Sequence, residues 1–276
     1  MQRIELQTRL KLGTDWWAKR PASTQDFKRL VSGSASIYEA GELKVVYLEF
    51  AAGENAMLEG ARRAVGEIEY QETFRTAGLK TRSRVFGAQP RITIRRRDYC
   101  SQAALASEAP EQFNLLCGGA PWIEFQYAVW NSRLQSIHAA MTRDKLLPEW
   151  RMAGSMFTSG IINEDNPLLY HRDFGNYPDV WSGMLTFREH CEGGLLSLPE
   201  YELGIRTADR SLLMFDGQGL VHGVTPIVKK KADGYRRTIV YYSLAAMWKC
   251  LTAKEEVRRI QRLRVEREEK RAGRTR

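Results

Sequence analysis

Cysteine, histidine and long apolar runs are all scarce in this chain of 276 residues. Its four cysteines are widely spaced and form no Cys-x-x-Cys pair, so the sequence predicts neither a disulfide framework nor a zinc knuckle. The apolar run VVYLEFAA contains Glu49 and is far too short to span a bilayer. The N-terminal segment lacks the apolar core of a secretory signal peptide. These absences argue against disulfide-stapled and membrane-spanning proteins and favour the cytoplasm, or the nucleus in a eukaryotic host.

Positive charge is in excess, with 42 Lys and Arg against 33 Asp and Glu, which gives a formal net charge of +9. Residues 252–276 hold ten of the basic and five of the acidic side chains, so +5 of the excess lies there. A basic balance favours an acidic partner, and nucleic acid is the first candidate. A solvated, frayed helix explains the same tail equally well.

The first 150 residues have the sequence pattern of a mixed α and β region. A strand is predicted at 43–50 and a helix around 55–73. A second helix is predicted from Trp122 to Arg143, because its apolar residues recur every three or four positions and form one continuous buried stripe. The stripe consists of Ile123, Tyr127, Trp130, Leu134, Ile137 and Met141.

After residue 148 the pattern changes to short β-rich runs, each closed by Gly, Asn, Asp or Pro. Seven or eight such strands without intervening helical spacing predict an antiparallel sandwich or barrel rather than a doubly wound sheet. We therefore expect an α+β fold with a mainly β core, a jelly roll wrapped by N-terminal helices and followed by a C-terminal helix.

Three residues of this β region form a candidate metal site. His171 and Asp173 stand two apart at the end of a predicted strand, where the period of two places both side chains on one face. His222 follows in the next-to-last strand region. Two imidazoles and one carboxylate are the facial set of iron(II) oxygenases, which leaves coordination positions for oxygen and a chelating co-substrate.

Arg236 strengthens this interpretation, because it shares one strand face with Thr238, Val240 and Tyr242. A guanidinium with a hydroxyl two residues on is suited to the far carboxylate of a dicarboxylate such as 2-oxoglutarate. Arg237 is then expected on the opposite face. The alternative is that Arg236 is a surface arginine on a strand and binds no ligand.

The two remaining histidines are not expected to bind the metal. His138 stands on the long predicted helix and is interpreted as a packing residue. His190 stands in the turn EHCEGG and is interpreted as a solvated turn residue.

The segment 157–242 resembles the TET/JBP family of nucleic-acid base oxygenases. The resemblance is carried by HRDFGN (171–176), GGLLSLPEY (193–201), LLMFDGQGLVHGVTPI (212–227) and RRTIVYY (236–242), with a looser match in FGAQPRITIRRRDYC (86–100). It implies a double-stranded β-helix, iron(II), 2-oxoglutarate and oxidation of the methyl group of a 5-methylpyrimidine.

The resemblance also implies residue roles. His171, Asp173 and His222 match the iron ligands, while Arg236 and Thr238 match an Arg-x-Ser pair on 2-oxoglutarate. Substrate contacts are implied at Asn176, which matches a base-binding asparagine, at Tyr242, which matches a stacking aromatic, and at Leu244. At Leu244 the chain departs from the family, because the animal enzymes carry a histidine there that contacts 5-methylcytosine; their cysteine-rich extension is absent as well.

The implied substrate is methylated duplex DNA, whose target base must be flipped out to reach a buried iron. Basic residues would contact the phosphates: Arg91, Arg95, Arg96 and Arg97 form one candidate cluster and the C-terminal helix another. We expect a monomer with one oxygenase domain over residues 1–250. This domain comprises a mixed α/β part at 1–150 and a β-helix core with the metal site at 151–250, and a basic helix or tail follows it at 251–276.

Several alternatives stay open at this point. The same chemistry on thymine would give hydroxymethyluracil, and a protein or small molecule could replace the nucleic acid. A cupin-like barrel that binds a ligand or performs non-oxidative metal chemistry belongs to another class, which Arg236 argues against. A catalytically silent DNA-binding module is disfavoured by the intact metal triad.

Overall fold

The computed structural model describes residues 1–6, 9–74, 80–91 and 98–272 of the chain. Six α-helices lie within these ranges: α1 Thr14–Trp17, α2 Ala56–Glu67, α3 Leu105–Glu108, α4 Pro110–Gly118, α5 Ala120–Lys145 and α6 Ala253–Ala272. The same ranges contain seventeen strands: β1 Gln2–Leu6, β2 Arg29–Val31, β3 Ala35–Glu39, β4 Glu42–Glu49, β5 Gln71–Phe74, β6 Lys80–Gln89, β7 Ser101–Gln102, β8 Ser159–Glu164, β9 Leu168–His171, β10 Ser182–Glu189, β11 Cys191–Gly193, β12 Leu196–Leu198, β13 Leu203–Ile205, β14 Ser211–Phe215, β15 His222–Val224, β16 Ile227–Lys229 and β17 Tyr235–Tyr242.

Two sheets form the centre of the described structure. The larger has ten strands in the order β1-β3-β4-β14-β10-β17-β8-β6-β5, with β7 beside β6. The smaller has five strands in the order β2-β13-β12-β15-β9. Apolar side chains from both sheets meet in one buried cluster, among them Ile37, Tyr47 and Phe215 from the larger and Leu196 and Val224 from the smaller. The predicted jelly roll with a mainly β core is confirmed.

Helices cover the other face of the large sheet. Side chains from α2, α4 and α5, such as Leu58, Leu116 and Ile123, pack with Leu185 and Ile239 of the sheet in a second buried cluster. Each such fully buried side chain contributes roughly 1.5–3 kcal/mol relative to an exposed position. The helices before residue 150 therefore brace the sheet that carries Arg236 and Thr238, as the sequence predicts.

The N-terminal strands are part of the large sheet. β4 pairs antiparallel with β14, and β3 and β1 continue the sheet outward from β4. This continuity is consistent with one domain over residues 1–250. The domain bounds and the division at residue 150 stay predictions.

Strand β17 has two chemically different faces. Ile239 and Tyr241 enter the core beneath the helices. Arg236 and Thr238, both buried, alternate with them and face the opposite side. Arg237 shares the helix side, as expected, and its Nε donates to Glu164 Oε2 at 2.7 Å.

The long helix α5 begins and ends within two residues of its predicted bounds, but its predicted buried stripe is wrong at Ile137, beyond a break at Asn131. The backbone of Asn131 leaves the helical region (φ −148°, ψ 71°), and its side chain accepts from the Leu134 amide at 3.1 Å. This break changes the phase of the helix. Ile137 is consequently 41% exposed, whereas His138 and Thr142 are buried in its place.

Helix α2 is shorter than the predicted 55–73. Its side chains pack through Ala61, Ala64 and Val65, but the chain turns to extended backbone at Ile68. Residues 71–74 instead pair with β6. Cross-strand hydrogen bonds to a distant segment thus override a local composition that favours helix.

The expectation of no disulfide is wrong. Cys100 and Cys250 form a disulfide with their Cα atoms 5.8 Å apart, across 150 residues of sequence. Local spacing rules do not detect such a pair, because only the fold brings the two segments together. The cysteine pattern therefore no longer supports a reducing compartment. No helix in the described part of the chain is long and apolar enough to cross a membrane.

Helix α6 confirms the predicted C-terminal helix and is anchored by its first turn. The buried Glu256 carboxylate accepts from Arg91 Nη2 at 2.7 Å and from the Leu251 and Cys100 amides at 3.0 and 3.1 Å. Arg259 adds a pair with Asp98. Beyond these contacts the side chains of α6 are mostly exposed.

Candidate active site

Two histidines from neighbouring strands face each other across the small sheet. His171 ends β9, His222 begins β15, and the two are directly paired with ring centroids 4.3 Å apart. Nδ1 of His171 lies 2.8 Å from the Leu169 carbonyl, and Nδ1 of His222 lies 3.0 Å from the Leu220 carbonyl. A carbonyl only accepts, so each Nδ1 carries the proton and each Nε2 presents a lone pair.

Asp173 completes the cluster from a loop rather than from the strand. β9 ends at His171, so the alternation that predicted a common face does not extend to Asp173. Its amide instead donates to the Gly217 carbonyl at 2.9 Å, which turns the carboxylate toward the histidines. Oδ1 lies 3.6 Å from His171 Nε2 and Oδ2 lies 3.8 Å from His222 Nε2.

These three side chains suit an iron(II) ion. Their ligand atoms all lie within 4.8 Å of one another, and both imidazoles are held in the tautomer that can coordinate a metal. His222 is almost buried, while His171 and Asp173 keep about a third of their side chains exposed. Three ligands from one side leave the other side open for a co-substrate.

Gly217 makes room for the carboxylate. A Cβ on this residue would lie 2.5 Å from Asp173 Oδ2. The turn around it is closed by Asp216, whose Oδ1 accepts from the Gln218 and Gly219 amides at 3.0 and 2.8 Å. Burial raises the pKa of Asp216, while those two amides oppose the shift. The DGQG stretch lies within the segment 212–227, and the sequence alone predicts no role for its residues.

A buried carboxylate, which the sequence analysis also missed, fastens the two ligand-bearing segments together. Glu200 accepts from Arg172 Nη2 at 2.9 Å, from Arg9 Nη2 at 2.8 Å and from the Val221 amide at 2.8 Å. Arg172 lies between His171 and Asp173, and Val221 directly precedes His222. The segment GGLLSLPEY carried this residue, but its partners are far away in the sequence.

Arg236 lies in the interior and forms no salt bridge with another described residue. Among the described residues its side chain has one hydrogen bond, from Nη2 to Thr207 Oγ1 at 3.2 Å, and Nε is buried without a partner. Burial lowers the pKa of Arg236 to about 10, so the group is still protonated at neutral pH. Gly194 packs directly on it, since a Cβ there would lie 2.5 Å from Arg236 Cδ. A buried, unpaired guanidinium is costly unless it binds an anion.

Hydroxyl and amide groups surround the same stretch of the barrel. Thr238 Oγ1 accepts from Asn163 Nδ2 at 3.3 Å, and Thr186 lies opposite Thr238 in the β10–β17 pairing. The Thr186 hydroxyl is buried and has no hydrogen-bond partner within the described ranges. Such groups, with Arg236, fit the far carboxylate of 2-oxoglutarate, as the strand alternation predicted.

A cavity of about 600 Å³ opens above the metal cluster. Its lining includes all three ligands, Asn176, Tyr242, Phe174, Ser182, Asn163 and Val240. Such a volume is ordinary for a small-molecule or nucleobase site. The structure thus brings two of the three predicted substrate residues, Asn176 and Tyr242, to the space above the metal.

Leu244, the third, is placed differently. Its backbone bridges to Asn176, and its side chain packs against a separate cluster that includes Leu146 and Trp150. Asn176 Nδ2 lies 3.2 Å from the Ser182 hydroxyl. Leu244 thus supports the backbone next to Asn176, and the cavity has no polar group at position 244.

The predicted phosphate contacts are only partly within the described residues. Arg91 lies against Glu256 at 2.7 Å, which engages its guanidinium inside the protein. Arg95, Arg96 and Arg97 lie outside the described residues. His138 and His190 lie away from the metal cluster: His138 is buried against Ser243, and His190 is in a turn near Lys231.

Comparison with known families gives one match. Residues 100–245, more than half of the chain, match the model of the Tet_JBP family, described as the oxygenase domain of the 2OGFeDO superfamily. The matched segment contains the metal cluster, Arg236 and Tyr242. No curated protein sequence matches the chain.

Three solved structures align with the chain at low sequence identity, and the first of them shares its fold. The structure of NgTET1 in complex with 5mC DNA aligns with a TM-score of 0.60 and 14% identity, over 84% of this chain and 86% of that one. A 2OG-Fe(II) oxygenase from Burkholderia pseudomallei aligns with a TM-score of 0.47 and 13% identity, over 72% and 84%. A bsmA homologue from Methylobium petroleophilum PM1 aligns with a TM-score of 0.36 and 12% identity, over 68% and 82%.

Proposed function

The chain belongs to the Tet_JBP family of 2-oxoglutarate- and iron(II)-dependent oxygenases, and we propose that it oxidises the methyl group of 5-methylcytosine in DNA to hydroxymethyl, a product that the same chemistry can oxidise further. The observation that carries this proposal is one cavity lined both by the metal triad and by Val240 and Tyr242, which share a strand face with the buried Arg236. Two further observations support it. The structure of NgTET1, which has a similar fold, contains 5mC DNA, and the net charge of +9 of this chain favours binding to a polyanion.

Each residue has a specific task in this proposal. His171, Asp173 and His222 hold the iron, with their imidazole protons fixed on carbonyls. Arg236 and Thr238 hold the far carboxylate of 2-oxoglutarate. When bound, iron(II) and 2-oxoglutarate supply, with dioxygen, the oxidant that converts a methyl C–H to C–OH as succinate and carbon dioxide form.

The remaining cavity residues would position the base. Tyr242 offers an aromatic face for stacking, and the Asn176 amide offers a donor and an acceptor to the base edge. Because His222 is nearly buried, a paired base does not reach the metal from within a duplex. The target nucleotide must therefore leave the stack, at a cost of a few kcal/mol.

Thymine is the second candidate substrate. The Asn176 amide lies against Ser182, whose hydroxyl both donates and accepts, so either amide orientation is satisfied. Asn176 can then accept from the amino group of cytosine or donate to the carbonyl of thymine. No polar side chain at position 244 adds a preference.

Nucleoside mass spectrometry tests the proposal. Methylated and unmethylated duplexes are incubated with the protein, iron(II), 2-oxoglutarate and dioxygen, beside an Asp173→Ala control. We expect hydroxymethylcytosine from the methylated duplex only, and none with the control. Hydroxymethyluracil from both duplexes would select thymine. Succinate without an oxidised base would move the substrate outside DNA, and no 2-oxoglutarate turnover at all would favour a non-oxidative cupin-like protein.

A further inference from the structure

The most exposed large apolar side chain in the described structure lies at the mouth of the active-site cavity. Phe174 is 75% exposed and follows the metal ligand Asp173 directly. Single exposed apolar residues are common on protein surfaces and need no explanation. Phe174 differs because it also lines the active-site cavity, where it can contact a substrate. The proposed tasks of the metal, co-substrate and base contacts do not use it.

The loop that carries Phe174 is fastened on both sides. The Asp173 amide donates to the Gly217 carbonyl at 2.9 Å, and the Ala245 amide donates to the Gly175 carbonyl at 2.9 Å. Two segments of the barrel thus hold the residues on either side of Phe174. The ring is therefore presented outward by a fixed backbone.

We propose that Phe174 is a wedge that enters the DNA duplex and occupies the space left by the flipped nucleotide. The inference rests on the proposed function, since it requires a nucleic-acid substrate. A base that moves into the cavity passes Phe174 and leaves two apolar base faces exposed in the duplex. An aromatic ring stacks on such faces, and apolar side chains inserted at base steps hold them apart.

This role separates Phe174 from Tyr242. Tyr242 lies inside the cavity, where it meets the extruded base, whereas Phe174 lies at the rim, where it meets the helix that the base has left. A wedge matters only while the target base has a stacked and paired alternative. Its removal therefore penalises intact duplexes more than duplexes in which the target is already loosened.

The test compares Phe174→Ala with Phe125→Ala, an exposed phenylalanine on α5 outside the cavity lining. Each holoprotein, loaded with iron(II) and 2-oxoglutarate without dioxygen, is bound to a duplex carrying 2-aminopurine next to 5-methylcytosine. We expect the fluorescence rise caused by unstacking to fall at least threefold for Phe174→Ala and to persist for Phe125→Ala. With dioxygen, kcat/KM on the paired duplex should fall about tenfold or more, but less than threefold when the target faces an abasic site.

Other outcomes overturn the proposal. Equal losses on the two duplexes would mean that Phe174 contacts the extruded base or supports the loop. Unchanged fluorescence and unchanged kcat/KM would remove any role for the ring. If the wild-type protein oxidises no base yet produces the fluorescence rise and loses it with Phe174→Ala, the wedge stands and the proposed oxidation fails. If the wild-type protein produces neither signal, both ideas fail.

Discussion

Glu200→Gln tests whether one buried carboxylate holds the two metal-bearing segments in register. The substitution keeps size and one carbonyl acceptor but removes the charge that Arg9 and Arg172 share. Hydrogen bonds between charged partners contribute about 1.5–3 kcal/mol each. The Arg9 and Arg172 side chains are 33% and 24% exposed, so solvent screening favours the low end of that range.

The two contacts together give an expected loss of about 3 kcal/mol in unfolding free energy. For a domain of this size, that loss lowers Tm by roughly 5–10 °C. Because Glu200 also accepts from the Val221 amide next to His222, we expect Mn(II), as a stand-in for iron(II), to bind about tenfold more weakly. Thermal denaturation and an anaerobic metal titration measure the two effects.

Glu202→Gln is the matched control, because Glu202 pairs with Lys28 at 2.9 Å on the surface, with side chains 37% and 80% exposed. It should cost under about 1 kcal/mol and leave metal affinity unchanged. A Glu200→Gln protein as stable as the control would refute the reasoning. Lower stability with unchanged metal affinity would show that Glu200 stabilises the fold without positioning the ligands.

Three further substitutions address single features of the site and core. Gly217→Ala places a methyl group 2.5 Å from Asp173 Oδ2, so Mn(II) affinity should fall at least about tenfold in the same titration, whereas Gly118→Ala, which meets nothing within 4 Å, should leave it unchanged. Arg236→Lys loses the two-pronged contact with a carboxylate, so the KM for 2-oxoglutarate in a succinate-release assay should rise about 10- to 100-fold; an unchanged KM would separate Arg236 from the co-substrate. Burial lowers the pKa of His138 from 6.5 to about 3, so below pH 6.5 the unfolded chain binds a proton that the native state refuses. The free energy of unfolding is therefore unaffected by His138 above pH 6.5. As the pH falls from 6.5 toward 3, it decreases by about 1.4 kcal/mol per pH unit. Urea denaturation at pH 6.5 and 5 should show this loss of about 2 kcal/mol in the wild type and its absence in His138→Gln; equal slopes would contradict it.

The metal ligands could be predicted because their placement depends on short-range rules. His171 and His222 lie on strands that turn residues delimit in the sequence, and each imidazole is oriented by the carbonyl two residues before it. Arg236 and Thr238 follow from the period of two in β17. Even so, Asp173 reaches the cluster through a loop and not through strand alternation, so the right residue was predicted for an incomplete reason.

What the sequence did not reveal depends on contacts between distant segments. Glu200 has no local feature that distinguishes it from a surface glutamate, and Arg9 precedes it by 191 residues. The Cys100–Cys250 pair is equally remote. The break at Asn131 is different, because asparagine is only a moderately poor helix former, and the periodicity continued across it without a proline or glycine signal.

The two halves of the site follow different physical requirements. The metal half must keep its ligands fixed, and it is built from paired strands, carbonyl-anchored imidazoles and the Glu200 carboxylate, which accepts from two arginines and the Val221 amide. The substrate half uses a loop, in which backbone hydrogen bonds from Asp173 to Gly217 and from Ala245 to Gly175 hold the residues on either side of Phe174. Loop residues change without disturbing a sheet core. The reaction type therefore follows from the strands, whereas the target base of the proposed function depends in part on Asn176 and its immediate neighbours in this loop.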